Sequence, residues 1–184
     1  MELTTAVYND ELVMRCKQGD VTSYRELYGK YAKAMYNTSL RIVNNSAEAE
    51  DILQEAFIDA FKNIGGFENR SSFGAWLKRI VINKSINSIK RKKINLIDID
   101  HVQTDIRDDE PINEEEFEFK VEEVKKTIAD LPDGYRTVLT LHLVEGYSYE
   151  EVANTLNISH STVRTQYMRA KQKLLQQLKQ KVSL

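Results

Sequence analysis

Apolar residues recur at intervals of three and four along almost the whole chain, and strand-like alternation is scarce. This pattern predicts an all-α protein, with helices over residues 9–18, 21–42, 46–63, 72–92, 118–130, 133–145, 148–156 and 160–180. The cleanest stripe follows Ala47, where Ala49, Ile52, Leu53, Ala56, Phe57, Ala60, Phe61 and Ile64 share one side of a helix and predict a buried face. The opposite side carries Glu48, Glu50, Asp51, Gln54, Glu55 and Asp59, which on spacing alone reads as a solvated surface. The next helix follows GGFENRSS, with Ser71 or Ser72 placed to cap it. It carries Phe73, Trp76, Leu77, Ile80 and Val81 and ends in Lys90, Arg91, Lys92 and Lys93. Cations there complement the negative end of the helix dipole. Aromatics ahead of a basic helix also suit stacking on unpaired bases and tracking of a phosphate backbone.

The segment SYEEVANTLNISHSTVRTQYMRAKQK, beginning at Ser148, reads as a helix-turn-helix. Ser148 and Glu151 have the spacing of a capping box. Val152, Leu156, Ile158 and Val163 can close a small core, and Ala153 is small where two crossing helices approach. Asn157 stands where the chain must reverse and tolerates a left-handed conformation. Ser159 can cap the second helix, which offers Ser161, Thr162, Arg164, Thr165, Gln166 and Arg169, donors and acceptors suited to phosphates and base edges. Residues 160–184 hold six Lys or Arg and no acid, which favours DNA binding over a helical hairpin with a solvated basic face.

Charge divides the chain further. The formal net charge of -2 conceals seven basic and no acidic residues over 77–97, followed by ten acids and one Arg over 98–118. Residues 94–117 lack a sustained helical period and read as an acidic, flexible linker between two helical domains. About 22 extended residues reach roughly 70–80 Å, about two turns of duplex. No apolar run is long enough for a membrane span, and the N-terminus lacks signal-peptide blocks, so the expected compartment is the cytoplasm. Cys16 stands alone and reads as a small buried side chain; His101, His142 and His160 have no metal-ligand spacing with it. No metal or cofactor is expected.

Together these features resemble a bacterial RNA polymerase sigma factor of the small extracytoplasmic-function (ECF) type. The string AEAEDILQEAFIDAFKNIGGFENRSSFGAWLKRIVINKSINSIKRKK is similar to that family's second domain. LPDGYRTVLTLHLVEGYSYEEVANTLNISHSTVRTQYMRAKQKL is similar to its fourth. The resemblance implies domain 2 over residues 1–94, the linker over 95–117 and domain 4 over 118–184, with no third domain between them. It further implies that Asp51, Gln54 and Glu55, with Glu48 and Asp59, dock on the clamp helices of core polymerase. There, charge complementarity acts mainly on encounter and register. Asn83 matches the neighbourhood where the family reads a flipped base of the minus-10 element, while Lys84, Lys90, Arg91, Lys92 and Lys93 hold the strand backbone. Trp76 is expected to pack.

In the fourth domain the resemblance places the second helix in the major groove of the minus-35 element, with Arg164, Thr165 and Arg169 as the main contacts. Gln166 departs from the basic residue frequent there and suits adenine. Asn157 replaces the usual turn glycine. Leu131, Tyr135 and Val138 belong to helices that pack the domain and bind the polymerase flap. An anti-sigma protein is an implied partner, and residues 105–118 are expected to shield a basic DNA-binding surface in the free protein. The implied function is promoter-specific initiation of transcription with core polymerase, without an active site. Two alternatives are a dimeric helix-turn-helix regulator, which would need a palindromic operator, and a helical adaptor that never touches DNA. No nucleophile, base or metal set converges to suggest an enzyme.

Overall fold

The computed structural model describes residues 10–95 and 121–182, with side chains to 92 in the first segment and to 181 in the second. The linker from residue 96 onward, its acidic segment 105–118 and the Lys93 side chain lie outside the described residues. The chain divides into two compact units, Met1–Ser88 and Ile89–Leu184. Their helices are α1 (Glu11–Lys17), α2 (Val21–Val43), α3 (Ser46–Lys62), α4 (Phe73–Asn95), α5 (Val121–Ala129), α6 (Asp133–Leu139), α7 (Tyr149–Leu156) and α8 (His160–Val182). Among the described residues there is no strand. The boundary between units falls within α4.

In the N-terminal unit, the stripe expected on α3 is the core face: Ala49, Ile52, Leu53, Ala56, Phe57 and Ala60 are buried. It packs on α2 through the Tyr24–Phe61 and Tyr28–Phe57 ring contacts. Leu27, Ile42, Phe73, Leu77, Val81 and Ile82 complete the interior. Ser39 and Ser85 share a buried hydroxyl hydrogen bond of 3.0 Å between α2 and α4. Their small side chains permit that approach. Ser72, of the two serines considered, caps α4 by accepting from the Ala75 N–H at 3.2 Å. At Gly74, a Cβ would lie 2.8 Å from Tyr31 Cε1, so a side chain in the first turn of α4 would force the Tyr31 ring of α2 to shift. Cys16 is buried, as its small apolar character suggests.

Asp20 starts α2. Its carboxylate accepts from the Ser23 hydroxyl at 2.7 Å, from Arg15 Nη2 at 2.6 Å and from the Thr22 N–H at 3.0 Å. The Ser23 hydrogen bond, then that of Arg15, holds this carboxyl at about 2.

In the C-terminal unit, α8 packs against α5, α6 and α7. Leu131, Leu139, Ala170, Leu174 and Leu178 form one buried cluster, flanked by Tyr135 and Tyr167; Val138, Val152 and Val163 are buried as well. The uninterrupted helix expected over 133–145 is corrected by a wide π turn at Thr140–Val144, closed by the Glu145 N–H donating to Thr140 O at 3.0 Å. There Leu141 stays buried while Leu143 and Val144 face outward. His142 stacks on Tyr149 at 4.4 Å, with its Nδ1 2.7 Å from Tyr147 O. Arg136 is buried: Nη1 donates to Leu131 O at 2.8 Å, and Nη2 pairs with Asp133. Its guanidinium thus donates to a carbonyl oxygen two residues beyond the end of α5.

Candidate nucleic-acid interface

The start of α7 is fixed by a reciprocal pair. Ser148 Oγ accepts from the Glu151 N–H at 3.2 Å, and the Ser148 N–H donates to Glu151 Oε2 at 2.8 Å. The helix stops at Asn157, which is left-handed at φ 57° and ψ 49°, and the next N–H, of Ile158, donates to Ala153 O at 3.1 Å. Val152 and Val163 are fully buried across the turn, with Leu156 and Ile158 only half-buried. Ser159 then caps α8, accepting from the Thr162 N–H at 3.1 Å. Its hydroxyl also meets those of Ser161 and Thr162, at 2.8 and 2.7 Å. A rigid turn therefore sets the angle at which α8 leaves α7.

His160, Ser161, Arg164, Thr165, Met168, Arg169 and Gln172 line one open groove along α8. Arg164, Thr165 and Arg169 are exposed on it. Among the described residues neither arginine is paired with a carboxylate, and a guanidinium fork has the geometry for a phosphate or a guanine edge. Thr165 donates to Ser161 O at 3.0 Å, which leaves its oxygen as an acceptor for a base amine. Ser161 and Thr162 lie at the helix entrance within the capping network. Gln166 is half-buried and falls outside the groove-lining set. Sequence reasoning missed Met168, which is 63% exposed in this polar setting. The spacing of four from Arg164 to Met168 to Gln172 was the available signal.

In the N-terminal unit, Asp51, Gln54 and Glu55 are exposed on α3, and Ile58 joins them at 51% exposure. Ile58 could have been found as an apolar residue lying off the buried stripe. Glu48 and Asp59 are half-buried and face α4, where Glu48 accepts from the Ser88 hydroxyl. Lys84 Nζ lies 2.7 Å from Asp59 Oδ2 and 3.2 Å from Glu55 Oε2. The hydrogen bond from Lys84 lowers the Asp59 carboxyl, and the Asp59 hydrogen bond raises the Lys84 ammonium. The structure thus joins Lys84 to two residues from the other expected site. Asn83, Lys90, Arg91 and Lys92 are exposed on α4. Trp76 is half-buried and packs on Phe67 at 5.1 Å and Phe73 at 5.6 Å with the rings tilted, an aromatic cluster at the start of α4.

Among the described residues no three His, Cys, Asp or Glu side chains are grouped to hold a metal ion, and no helix is long and apolar enough to cross a membrane.

Residues 27–94 match the Sigma-70 region 2 family and residues 122–174 match Sigma-70, region 4. The RNA polymerase sigma-H factor of Pseudomonas aeruginosa is 32% identical over 92% of this chain and 93% of its own length. The ECF RNA polymerase sigma factor SigW of Bacillus subtilis is 31% identical over 91% and 95% respectively. The chain belongs to the ECF RNA polymerase sigma factors. As a sigma factor it binds core RNA polymerase and directs promoter-specific initiation of transcription. The fold of this sigma factor is shared with RpoE, seen in a co-crystal structure with the anti-sigma factor NepR from Bartonella quintana. That match has a TM-score of 0.56 at 22% identity and covers 86% of this chain and 98% of the other. It is shared also with CnrH in complex with the cytosolic domain of CnrY, at a TM-score of 0.54 and 22% identity, covering 92% and 96%.

Proposed function

We propose that this sigma factor reads its promoter at two separate points. The observation that carries the upstream half is the open face of α8, where Arg164 and Arg169 flank Thr165 and Met168 with no acid among the groove-lining residues. In this reading α8 enters the major groove of the minus-35 element. The two arginines bind base edges or phosphates, Thr165 accepts from a base amine, and Ser161 and Thr162 meet the backbone at the helix entrance. Gln166, on the flank, contacts the groove edge. Downstream, the exposed Asn83 amide reads an unstacked base of the minus-10 element, and Lys90, Arg91, Lys92 and Lys93 follow the strand backbone. Lys84 reaches that backbone after leaving its carboxylate partners.

Polymerase docks on α3 through Asp51, Gln54 and Glu55, with Glu48 and Asp59 at the edge and Ile58 supplying apolar contact. Charge there governs encounter and register, and the isoleucine adds buried area. Domain 2 spans residues 1–94 and domain 4 spans 118–184, joined by 95–117. The protein acts in the cytoplasm and has no active site of its own, since RNA synthesis belongs to the polymerase. An anti-sigma protein that covers the polymerase-binding surfaces is the expected regulator, a role supported by the complexes of the RpoE and CnrH neighbours.

The test is transcription in vitro by core polymerase plus this chain on a promoter library, with the transcripts sequenced. Start sites sharing two separated upstream elements are expected. Tight, sequence-specific DNA binding by the free chain, unimproved by core polymerase, would overturn the reading.

A further inference from the structure

Lys84 stands where the two surfaces of the N-terminal unit meet. Its ammonium is shared by Asp59 and Glu55, four residues apart on α3, while Lys84 itself belongs to α4. The lysine side chain is 22% exposed, whereas those of Asp59 and Glu55 are 48% and 60% exposed. A partner can therefore reach the carboxylates from solvent without first displacing the lysine. Further along the same seam, Ser88 donates to Glu48, so α3 and α4 remain in contact when the triad opens. An ammonium is a compact charge on a flexible stem, able to change acceptors without movement of its helix.

We propose that Glu55, Lys84 and Asp59 form an exchange coupling between polymerase docking and promoter-strand binding. Cationic groups of the polymerase that take the two carboxylates release the Lys84 ammonium to a DNA phosphate. A phosphate that takes Lys84 releases the carboxylates in turn. The inference rests on the assignment of α3 to polymerase and α4 to the promoter strand given above. Because coupling of binding equilibria is reciprocal, each partner tightens the other by the same factor. Partly exposed ion pairs are weak, which sets that factor at roughly two- to fivefold, and salt reduces it further. The triad biases assembly without locking it.

The experiment measures binding of a labelled single-stranded oligodeoxynucleotide to the free, full chain at low salt. Glu55→Gln with Asp59→Asn is expected to raise affinity roughly two- to fivefold, and the gain is expected to vanish when Lys84→Ala is added. Glu50→Gln with Asp51→Asn, which removes the same charge away from Lys84, is expected to gain less. An equal gain without Lys84, an equal gain from the control pair, or no gain at all would each overturn the coupling. Thermal melts verify that every variant is folded. Lys84→Met, which keeps the apolar stem, replaces the alanine if that variant melts early. Promoter-library transcription with the unaltered chain tests the underlying assignment separately, so the two failures are distinguishable.

Discussion

The α3–α4 pair and the α7–α8 pair solve the same problem in opposite ways. Both display charge at exposed positions, yet α3 and α4 carry opposite signs and partly neutralise each other through Lys84, Asp59 and Glu55. The groove of α8 offers its arginines with no acid among its lining residues. A surface already satisfied from within gives up an internal ion pair before it binds, whereas an open one gives up only water and counterions. The first arrangement suits conditional binding and the second suits direct readout.

The largest effect that would sharpen this contrast is structural. Leu139, fully buried in the C-terminal cluster, should cost about 2–5 kcal/mol when replaced by Ala. Amide exchange should show the loss in the C-terminal unit, with the α3–α4 amides protected as before. Next, Arg164→Ala and Arg169→Ala should each cost about 1–3 kcal/mol in promoter binding by the reconstituted holoenzyme. Lys84→Ala should cost clearly less, because that lysine exchanges one partner for another. Equal losses in filter-binding titrations would break the comparison.

Smaller again is Ser148→Ala, expected to destabilise the C-terminal unit by about 1 kcal/mol through loss of the cap on α7, visible as a shifted denaturant midpoint. Least of all is an acid effect confined to the N-terminal unit. Asp20 is held at about 2, below its ordinary value, and Asp59 is also lowered. A carboxyl lowered on folding stabilises fully above its unfolded value and loses that contribution as pH falls through its folded value. The N-terminal unit should therefore weaken between roughly pH 4 and pH 2, and Asp20→Asn should flatten that dependence in acid melts.

The helices were legible where an apolar stripe has a matching burial. On α3 the residues from Ala49 to Ala60 are buried as their spacing required, and Ser148, Asn157 and Ser159 take the conformations their side chains favour. The π turn at Thr140–Val144 was not legible, since one widened turn leaves no repeat to detect. Arg136 was invisible for a related reason. Its burial depends on carbonyl oxygens that the sequence does not display, and an arginine is by default a surface residue. For the candidate site, the residue types on α8 were readable from its spacing, but the Lys84 triad was not. Glu55 and Asp59 lie more than 20 residues from Lys84, and only the packing of α4 on α3 brings them together.

The contact at Gly74 constrains how this domain could have changed over time. A methyl group at position 74 would lie 2.8 Å from Tyr31 Cε1, so a larger residue there requires the half-buried Tyr31 ring to shift or position 31 to become smaller. Substitution at position 74 alone should be tolerated less well than the same change made after position 31 has become smaller. In lineages descending from such a chain, these two sites are then expected to vary as a linked pair with a preferred sequence of steps.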